Sequence, residues 1–194
     1  GATRWHDAEA NRAYYASLIA QAAPSDLLVL PETMMSGFTQ DTRATVDTMD
    51  GPGLAWMREQ ARLSGATVTG RLAIRDGETI YNRLLWVRPD GSYACYDKRH
   101  LFRMAEEHKR YGSGTARPIL EIRGWRILPQ VCYDLRFPVW LRNRRDESQA
   151  GGMDYDLALF VANWPVGRRH AWRTLMRARA IVNPAFVVGV NRVG

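Results

Sequence analysis

Two Asp-Gly dipeptides, Asp76-Gly77 and Asp90-Gly91, place the strongest constraint on the fold of this 194-residue chain. Such pairs favour the positive φ angles of tight hairpin turns. Apolar and β-branched residues flank both dipeptides, which indicates strands near residues 66–74, 79–88 and 92–97. We therefore predict that these three segments are consecutive antiparallel neighbours in one sheet.

Elsewhere the sequence alternates helices with short buried strands. Asp7 is a suitable N-cap for the first helix, Pro138 fits the first turn of the third, and Pro184 ends the fourth. Helices are predicted at 7–22, 51–64, 137–145 and 168–183, with strands at 26–30, 119–122, 127–131, 157–162 and 185–190. Helices alternating with strands, combined with hairpins, predict an α/β domain with a mixed sheet.

Length and composition exclude several classes of protein. The longest apolar run, 157–162, is far shorter than the roughly 20 residues needed to span a bilayer, so we predict no membrane partner. The net charge of +7 permits nucleic-acid binding, but the arginines are scattered from Arg4 to Arg192, so we predict no nucleic-acid partner. Cys95 and Cys132 lie in no disulfide-dense scaffold, which favours reduced thiols in the cytoplasm. No zinc or nucleotide motif is present, so we predict no metal and no cofactor.

Three chemically distinct side chains directly follow predicted strands. Glu32 follows the strand at 26–30, Lys98 the strand at 92–97 and Cys132 the strand at 127–131. Residues beyond the carboxyl ends of strands are placed for chemistry in α/β sheets, so these three would share one crevice if the strands are neighbours. A thiol with a pKa of about 8.5 needs a base or a positive neighbour before it attacks a carbonyl.

Each of these residues also has a purely structural interpretation. Glu32 is then a surface turn residue, Lys98 a solvated cation, and Cys132 a small buried hydrophobe. The lysine is distinctive, because Lys98 and Lys109 are the only lysines among 27 basic residues. Codon usage in a GC-rich genome explains such a bias, yet arginine cannot replace lysine where a compact amine takes part in chemistry.

The segments around these residues resemble the carbon–nitrogen hydrolase (nitrilase) superfamily, and its bacterial ω-amidase-like branch in particular. The resemblance covers nearly the whole chain. It rests on three ordered motifs, supported by 163–165 and 177–183: Leu30-Pro31-Glu32 with Ser36-Gly37-Phe38, then Tyr96-Asp97-Lys98-Arg99-His100-Leu101-Phe102, then Val131-Cys132-Tyr133-Asp134-Leu135-Arg136-Phe137-Pro138.

The resemblance implies an α-β-β-α sandwich of the nitrilase type, with mixed β-sheets and a Glu–Lys–Cys triad at Glu32, Lys98 and Cys132. A supporting glutamate of the family matches Glu107 better than its neighbour Glu106. Family members carry a strand before the position of residue 5 and several after residue 194. We therefore expect a single carbon–nitrogen hydrolase domain over residues 1–194 that lacks these N- and C-terminal strands.

The resemblance implies hydrolysis of a small linear amide, most closely the ω-amide of a 2-oxo dicarboxylic acid, through a cysteine thioester that releases ammonia. The backbone N–H of Tyr133 is then an oxyanion donor beside Lys98. Phe38, Arg136 and Trp164 are candidate substrate-binding residues, although the aromatic side chains also suit a plain core and Arg136 could instead pair with Asp134. The expected partners are the amide, water and a second copy of the chain in a homodimer.

Two alternatives remain within the superfamily, a nitrilase proper and an N-carbamoyl amide hydrolase, because the same triad serves all three reactions. Two others belong to different classes. The basic charge and seven tryptophans would also suit an anion- or nucleic-acid-binding module, and strands missing from the domain would suit a catalytically inactive interaction domain.

Overall fold

The computed structural model describes residues 3–37, 45–145, 147–148 and 152–192. The helices are α1 Ala8–Ala20, α2 Pro52–Ser64 and α3 Arg169–Val182, with 3-10 turns at Arg103–Ala105, Glu107–Lys109, Cys132–Arg136 and Val166–Arg168. The strands are β1 Leu27–Val29, β2 Asp47–Thr48, β3 Thr67–Asp76, β4 Thr79–Val87, β5 Tyr93–Asp97, β6 Leu120–Ile122, β7 Trp125–Val131, β8 Leu157–Ala162 and β9 Phe186–Asn191. None of these helices is long and apolar enough to cross a membrane.

The first sheet contains the two predicted hairpins. Its order is β1-β3-β4-β5, with β2 also paired to β3. β3 pairs with β4 and β4 with β5 in antiparallel register, whereas β1 and β2 run parallel to β3. Gly77 and Gly91 have φ angles of +59° and +83°, the conformation for which glycine is favoured in tight turns. The Asp-Gly prediction is confirmed.

The second sheet has the order β6-β7-β8-β9. β6 and β7 form an antiparallel hairpin around Gly124, and β7, β8 and β9 are parallel. Helix α3 supplies the crossover between the last two strands, as parallel neighbours require. This sheet contains the predicted strands at 119–122, 127–131, 157–162 and 185–190, with shifts of one or two residues at their ends.

The two sheets face each other and carry helices on their outer faces. Tyr15 of α1 and Met57 of α2 pack on the first sheet, and Trp172 of α3 packs on the second. Between the sheets lie two apolar clusters, whose buried members are Leu84, Tyr96, Val131 and Val161 in one and Trp86, Leu120, Ile127 and Leu159 in the other. The architecture is therefore an α-β-β-α sandwich with mixed sheets, which confirms the predicted fold class.

The helix predicted at 137–145 is absent, so that prediction is wrong. A 3-10 turn at Cys132–Arg136 is followed by irregular turns, in which Leu141 N–H donates to the carbonyl of Phe137 in a single helical bond within 137–145. Asn143 explains the difference: its backbone N–H donates to the side chain of Asn183 at 2.9 Å, and its amide bonds to the backbone of Tyr155. The first of these tertiary bonds takes the N–H of Asn143 away from the carbonyl four residues earlier, to which a helix would bond it.

Candidate active site

The strand ends that carry the candidate residues meet across the two sheets, not within one. Lys98 follows directly after β5 and Cys132 directly after β7, and Glu32 lies three residues beyond β1. β1 and β5 run in the same direction in the first sheet, and β7 lies in the facing sheet. Val131, the last residue of β7, packs against Tyr96 of β5. The packed sheets thus bring the carboxylate, the amine and the thiol into one crevice.

The ammonium of Lys98 lies between two carboxylates. Lys98 Nζ is 3.3 Å from Oε1 of Glu32 and 3.1 and 2.9 Å from the two oxygens of Glu107. All three side chains are at most 1% exposed. Burial alone would lower the pKa of Lys98, but the negative charges of Glu107 and Glu32 raise it above its ordinary value. Lys98 is therefore a fixed cation that can stabilise negative charge in the crevice.

Both oxygens of Glu32 accept hydrogen bonds. Besides the lysine contact, Oε1 accepts from Asn82 Nδ2 at 3.1 Å, and Oε2 accepts from the backbone N–H of Asn163 at 2.9 Å. Burial would raise the pKa of Glu32, but the positive charges of Lys98 and Arg71, together with these hydrogen bonds, lower it below its ordinary value. Glu32 is therefore ionised at neutral pH and can accept a proton.

Glu107, not Glu106, is the glutamate that contacts the lysine. Its Oε1 also accepts from Asn82 Nδ2 at 3.0 Å, and its Oε2 accepts from the backbone N–H of Phe102 at 2.6 Å. Glu106 is exposed and forms an ion pair with Lys109 at 2.6 Å. The other lysine of the chain thus takes part in a solvent-exposed pair, and only Lys98 is buried.

The thiol of Cys132 is protonated in the resting arrangement. Burial raises its pKa well above the ordinary value, and the charge of Glu32, which also accepts its hydrogen bond, raises it further, while Lys98 acts in the opposite direction. Of the two ways of activating a thiol, the geometry therefore favours a neighbouring base over a resting thiolate. Cys132 also has φ of +46°, a strained backbone conformation of the kind that clusters at functional sites.

Buried Asp134 holds this strained turn in place. Its Oδ2 accepts from the backbone N–H of Val131 at 3.1 Å and from Tyr96 Oη at 2.8 Å, and its Oδ1 lies 2.8 Å from His100 Nδ1. The suggested pairing of Asp134 with Arg136 is therefore wrong, because Asp134 has these other partners.

The predicted oxyanion donor and two of the three predicted substrate-binding residues lie close to Cys132. Tyr133 is the second residue of the 3-10 turn, where a backbone N–H has no acceptor within the helix. Arg136 and Trp164 both line a cavity of about 230 Å³ beside Cys132, with the guanidinium of Arg136 5.2 Å from the centre of the Trp164 ring. Phe38 lies outside the described residues.

The cavity contains charges that the sequence did not identify. Arg168 and Arg192 line it together with Arg136. In the described part of the chain, none of the three forms an ion pair with a carboxylate. Aromatic rings of Trp5, Phe102, Tyr133 and Trp164 form much of the remaining wall. The cavity thus has mostly apolar walls and is bordered by three arginines without an ion pair among the described residues, which suits a small molecule with an anionic end.

The other cavities of the described chain are poorer candidates for the active site. A wider groove of about 820 Å³ lies around Trp125 and Phe186, at the starts of β7 and β9 and so at the opposite end of the second sheet from Cys132. It contains none of the candidate residues. Over the described ranges, no group of three or more His, Cys, Asp and Glu side chains could hold a metal ion.

Two buried side chains of the site, Asn82 and Arg71, were missed by the sequence reasoning. Asn82 of β4 bridges Glu32 and Glu107, and the guanidinium of Arg71 of β3 donates to Asn82 Oδ1. A signal was available, since an arginine interrupts the otherwise apolar or small residues of 66–74, and an asparagine precedes Arg83 and the apolar run 84–87. Polar residues in the middle of buried strands must find partners.

Replacing Gly114 with alanine is expected to lower kcat by about 100-fold, because small displacements of a catalytic group can cost that much. A Cβ at this position would overlap the backbone carbonyl of Asp97, and Gly114 N–H donates to the carbonyl of Lys98 at 3.0 Å. The end of β5 must then move and carry Lys98 away from its carboxylates. Steady-state kinetics check this, with Gly167→Ala as the control, since a Cβ there meets open space. Unchanged kcat in a folded G114A variant would contradict it.

The chain is similar to known proteins along most of its length. The carbon-nitrogen hydrolase family model matches residues 1–194. The chain is 46% identical over 190 residues to the omega-amidase YafV of Yersinia enterocolitica, covering 98% of this chain and 71% of the relative. It is 30% identical over 173 residues to the 2-oxoglutaramate amidase of Bacillus subtilis, covering 88% of this chain and 64% of that protein.

A solved structure is also similar. A CN-hydrolase superfamily protein of Xanthomonas campestris, whose crystal structure has an arsenic adduct in the active site, superposes with a TM-score of 0.96 at 55% identity. The match covers all of this chain and 74% of that one. By family model, sequence and structure, the chain belongs to the carbon–nitrogen hydrolase family.

Proposed function

We propose that this chain hydrolyses the ω-amide of a 2-oxo dicarboxylic acid through a thioester on Cys132, releasing ammonia. The observation that carries this proposal is the cavity beside the thiol, which is lined by three arginines that form no ion pair within the described ranges. A substrate with an amide at one end and a carboxylate at the other matches a pocket lined both by Cys132 and by arginines, whose guanidinium groups bind carboxylates well. The names of the relatives, omega-amidase and 2-oxoglutaramate amidase, support the same substrate class.

In the first half of the reaction, Glu32 takes the proton of the Cys132 thiol as the sulfur attacks the amide carbon. The C–S bond forms and the carbonyl oxygen becomes an oxyanion. Lys98 and the backbone N–H of Tyr133 stabilise that oxyanion, and one such donor contributes about 3–4 kcal/mol in known cases. Glu32 then gives its proton to the departing nitrogen, the C–N bond breaks, and ammonia leaves an acyl thioester.

In the second half, water replaces ammonia. Glu32, again ionised, takes a proton from a water molecule as the water oxygen attacks the thioester carbon. The C–S bond breaks, the proton returns to the sulfur, and the carboxylic acid leaves. Glu107 fixes the position of Lys98 throughout, because its two oxygens both contact Nζ.

A substrate panel tests the proposal against its two neighbours in the superfamily. We expect the highest kcat/KM for ω-amides of 2-oxo dicarboxylic acids, measured as ammonia released. The panel includes the matching ω-nitrile, an N-carbamoyl amino acid, glutamine and an uncharged short amide. Higher kcat/KM for the nitrile or the carbamoyl compound would overturn the proposal in favour of that activity. The uncharged amide separates recognition of the carboxylate from the chemistry itself.

Replacing Arg168 with methionine is expected to raise KM for the ω-amide of a 2-oxo acid by about 10-fold or more, the usual scale for a lost charge-assisted hydrogen bond. The KM for the uncharged amide should not change. Arg75→Met is a matched control, since Arg75 of β3 is exposed and does not line the cavity. Equal effects on both substrates would contradict a role for Arg168 in binding the carboxylate.

We further propose that the enzyme is a cytoplasmic homodimer that uses α3 as a contact surface. Arg169, Arg173 and Arg177 form an exposed row with no ion pair among the described residues, and like charges four residues apart repel on an isolated helix. Ile181 and Val182 are 78% and 63% exposed at the end of the same helix. Acidic side chains and apolar area of a second copy would relieve both. A free catalytic thiol suits a reducing compartment.

A further inference from the structure

A buried arginine without a carboxylate partner lies behind the candidate triad. Arg71 is 2% exposed, and among the described residues it forms no ion pair. Its Nε donates to Oδ1 of buried Asn82, and its guanidinium carbon is 5.1 Å from the centre of the Tyr111 ring. A buried charge is costly unless it is compensated, so the position of this cation in β3 calls for a physical reason.

The amide of Asn82 has only one workable orientation. Its Nδ2 lies 3.1 Å from Oε1 of Glu32 and 3.0 Å from Oε1 of Glu107, so one NH2 group donates to both carboxylates. Rotating the amide by half a turn would put its oxygen against two negative charges and its NH2 group against the guanidinium of Arg71. The arginine therefore keeps the two donors of Asn82 directed at the glutamates.

The charges of the cluster balance only when Arg71 is included. The titratable or charged groups that face Glu32 are Lys98 after β5, Arg71 of β3, Glu107 of the turn Glu107–Lys109 and Cys132 after β7. Asn82 and the backbone N–H of Asn163 are neutral donors to the same carboxylate. Two carboxylates and two cations give zero net charge with a neutral thiol. Transfer of the thiol proton to Glu32 leaves that sum unchanged. Without Arg71 the buried cluster would carry a net negative charge, which favours a protonated carboxyl.

We propose that Arg71, acting through Asn82, is a positioning residue that keeps Glu32 ionised and oriented toward the thiol. This inference rests on the proposed role of Glu32 as the base. Arg71 does not line the cavity beside Cys132 and does not contact the substrate in this scheme.

The pH dependence of kcat/KM tests the proposal, because its acid limb reports the ionisation of the essential base in the free enzyme. In the Arg71→Met variant the acid limb should move upward by about one pH unit or more, the shift expected when a buried carboxyl loses a nearby opposite charge. The sign follows from the base: a raised pKa leaves Glu32 protonated, and the enzyme inactive, at a higher pH. Arg71→Lys keeps the charge, so its acid limb should stay near that of the wild type.

Two further variants separate this role from a structural one. Arg117 is a partly buried arginine that pairs with Asp154 and with backbone carbonyls, so Arg117→Met should lower the melting temperature without moving the acid limb. Asn82→Leu should move the limb in the same direction as Arg71→Met. The double variant should move it by less than the sum of the two single shifts, since residues that act through one another are not additive.

The positioning of Glu32 by Arg71 through Asn82, which we call the relay, can be tested separately from the proposed function. An unmoved acid limb in folded Arg71→Met, or additive shifts in the double variant, would overturn the relay while leaving Cys132 and Glu32 in their roles. If Arg71→Met does not fold, an unmoved acid limb in Asn82→Leu, or a limb in Arg71→Lys that moves as far as that of Asn82→Leu, would overturn the relay. Full activity in Glu32→Gln would overturn the proposed function itself, and the relay with it.

Discussion

Replacing Cys132 with alanine is expected to abolish ammonia release, with kcat falling by about 10⁴-fold or more, the scale seen when a covalent nucleophile is removed. The change takes away the atom that attacks the amide and its hydrogen bond to Glu32. It leaves the bonds of Asp134 and Glu107 intact, because none of them uses the sulfur. Alanine can take the φ of +46° at a cost similar to that of cysteine.

The chain provides a matched control for this experiment. Cys95 is the only other cysteine, is partly buried, and packs against the core formed by the first sheet with α1 and α2. Cys95→Ala should lose a little stability and keep wild-type kcat. Steady-state ammonia release, with circular dichroism to verify folding, gives the comparison. In the wild type, hydroxylamine should divert the acyl group to a hydroxamate, and that product should vanish in C132A. A folded C132A variant that still releases ammonia would exclude a thioester on this residue.

Much of the framework could be predicted because it depends on local chemistry. An Asp-Gly pair between two β-forming segments fixes a hairpin by the φ angles it permits, and Gly77 and Gly91 adopt those angles. Asp7 caps α1 through a hydrogen bond from the N–H of Ala10 at 2.9 Å. Glu32, Lys98 and Cys132 could be singled out by their positions after strands, a matter of sequence order alone.

The remaining features depend on tertiary contacts that no local pattern encodes. The segment after Pro138 has a plausible helix start, but Asn143 forms its bonds with residues 12 and 40 positions away. Arg136 and Asp134 are close in sequence, yet the buried carboxylate takes its partners from β5 and from the end of β7. Asn82 contacts Glu32 from 50 residues away. Periodicity could not place these residues in the site, because their partners are set by how the sheets pack.

Replacing Lys98 with arginine is expected to lower kcat by about 100-fold or more, the scale of one lost oxyanion donor. The ammonium fits a compact space in which Nζ is 2.9 to 3.3 Å from three carboxylate oxygens. A guanidinium keeps the positive charge but is larger, planar and forked, so it cannot occupy the same point between Glu32 and Glu107. Its carboxylate partners must separate, and Glu32 then turns away from the thiol.

The effect on stability should be much smaller than the effect on turnover. Enlarging a buried side chain typically costs about 1–3 kcal/mol, which a folded domain can absorb while its kcat collapses. Lys109→Arg is the matched control, since the only other lysine is exposed and pairs with Glu106 in solvent. That variant should retain wild-type kcat and melting temperature. Wild-type turnover by a properly folded K98R variant would show that any cation suffices at this position, and the role of a compact amine in the oxyanion site would be wrong.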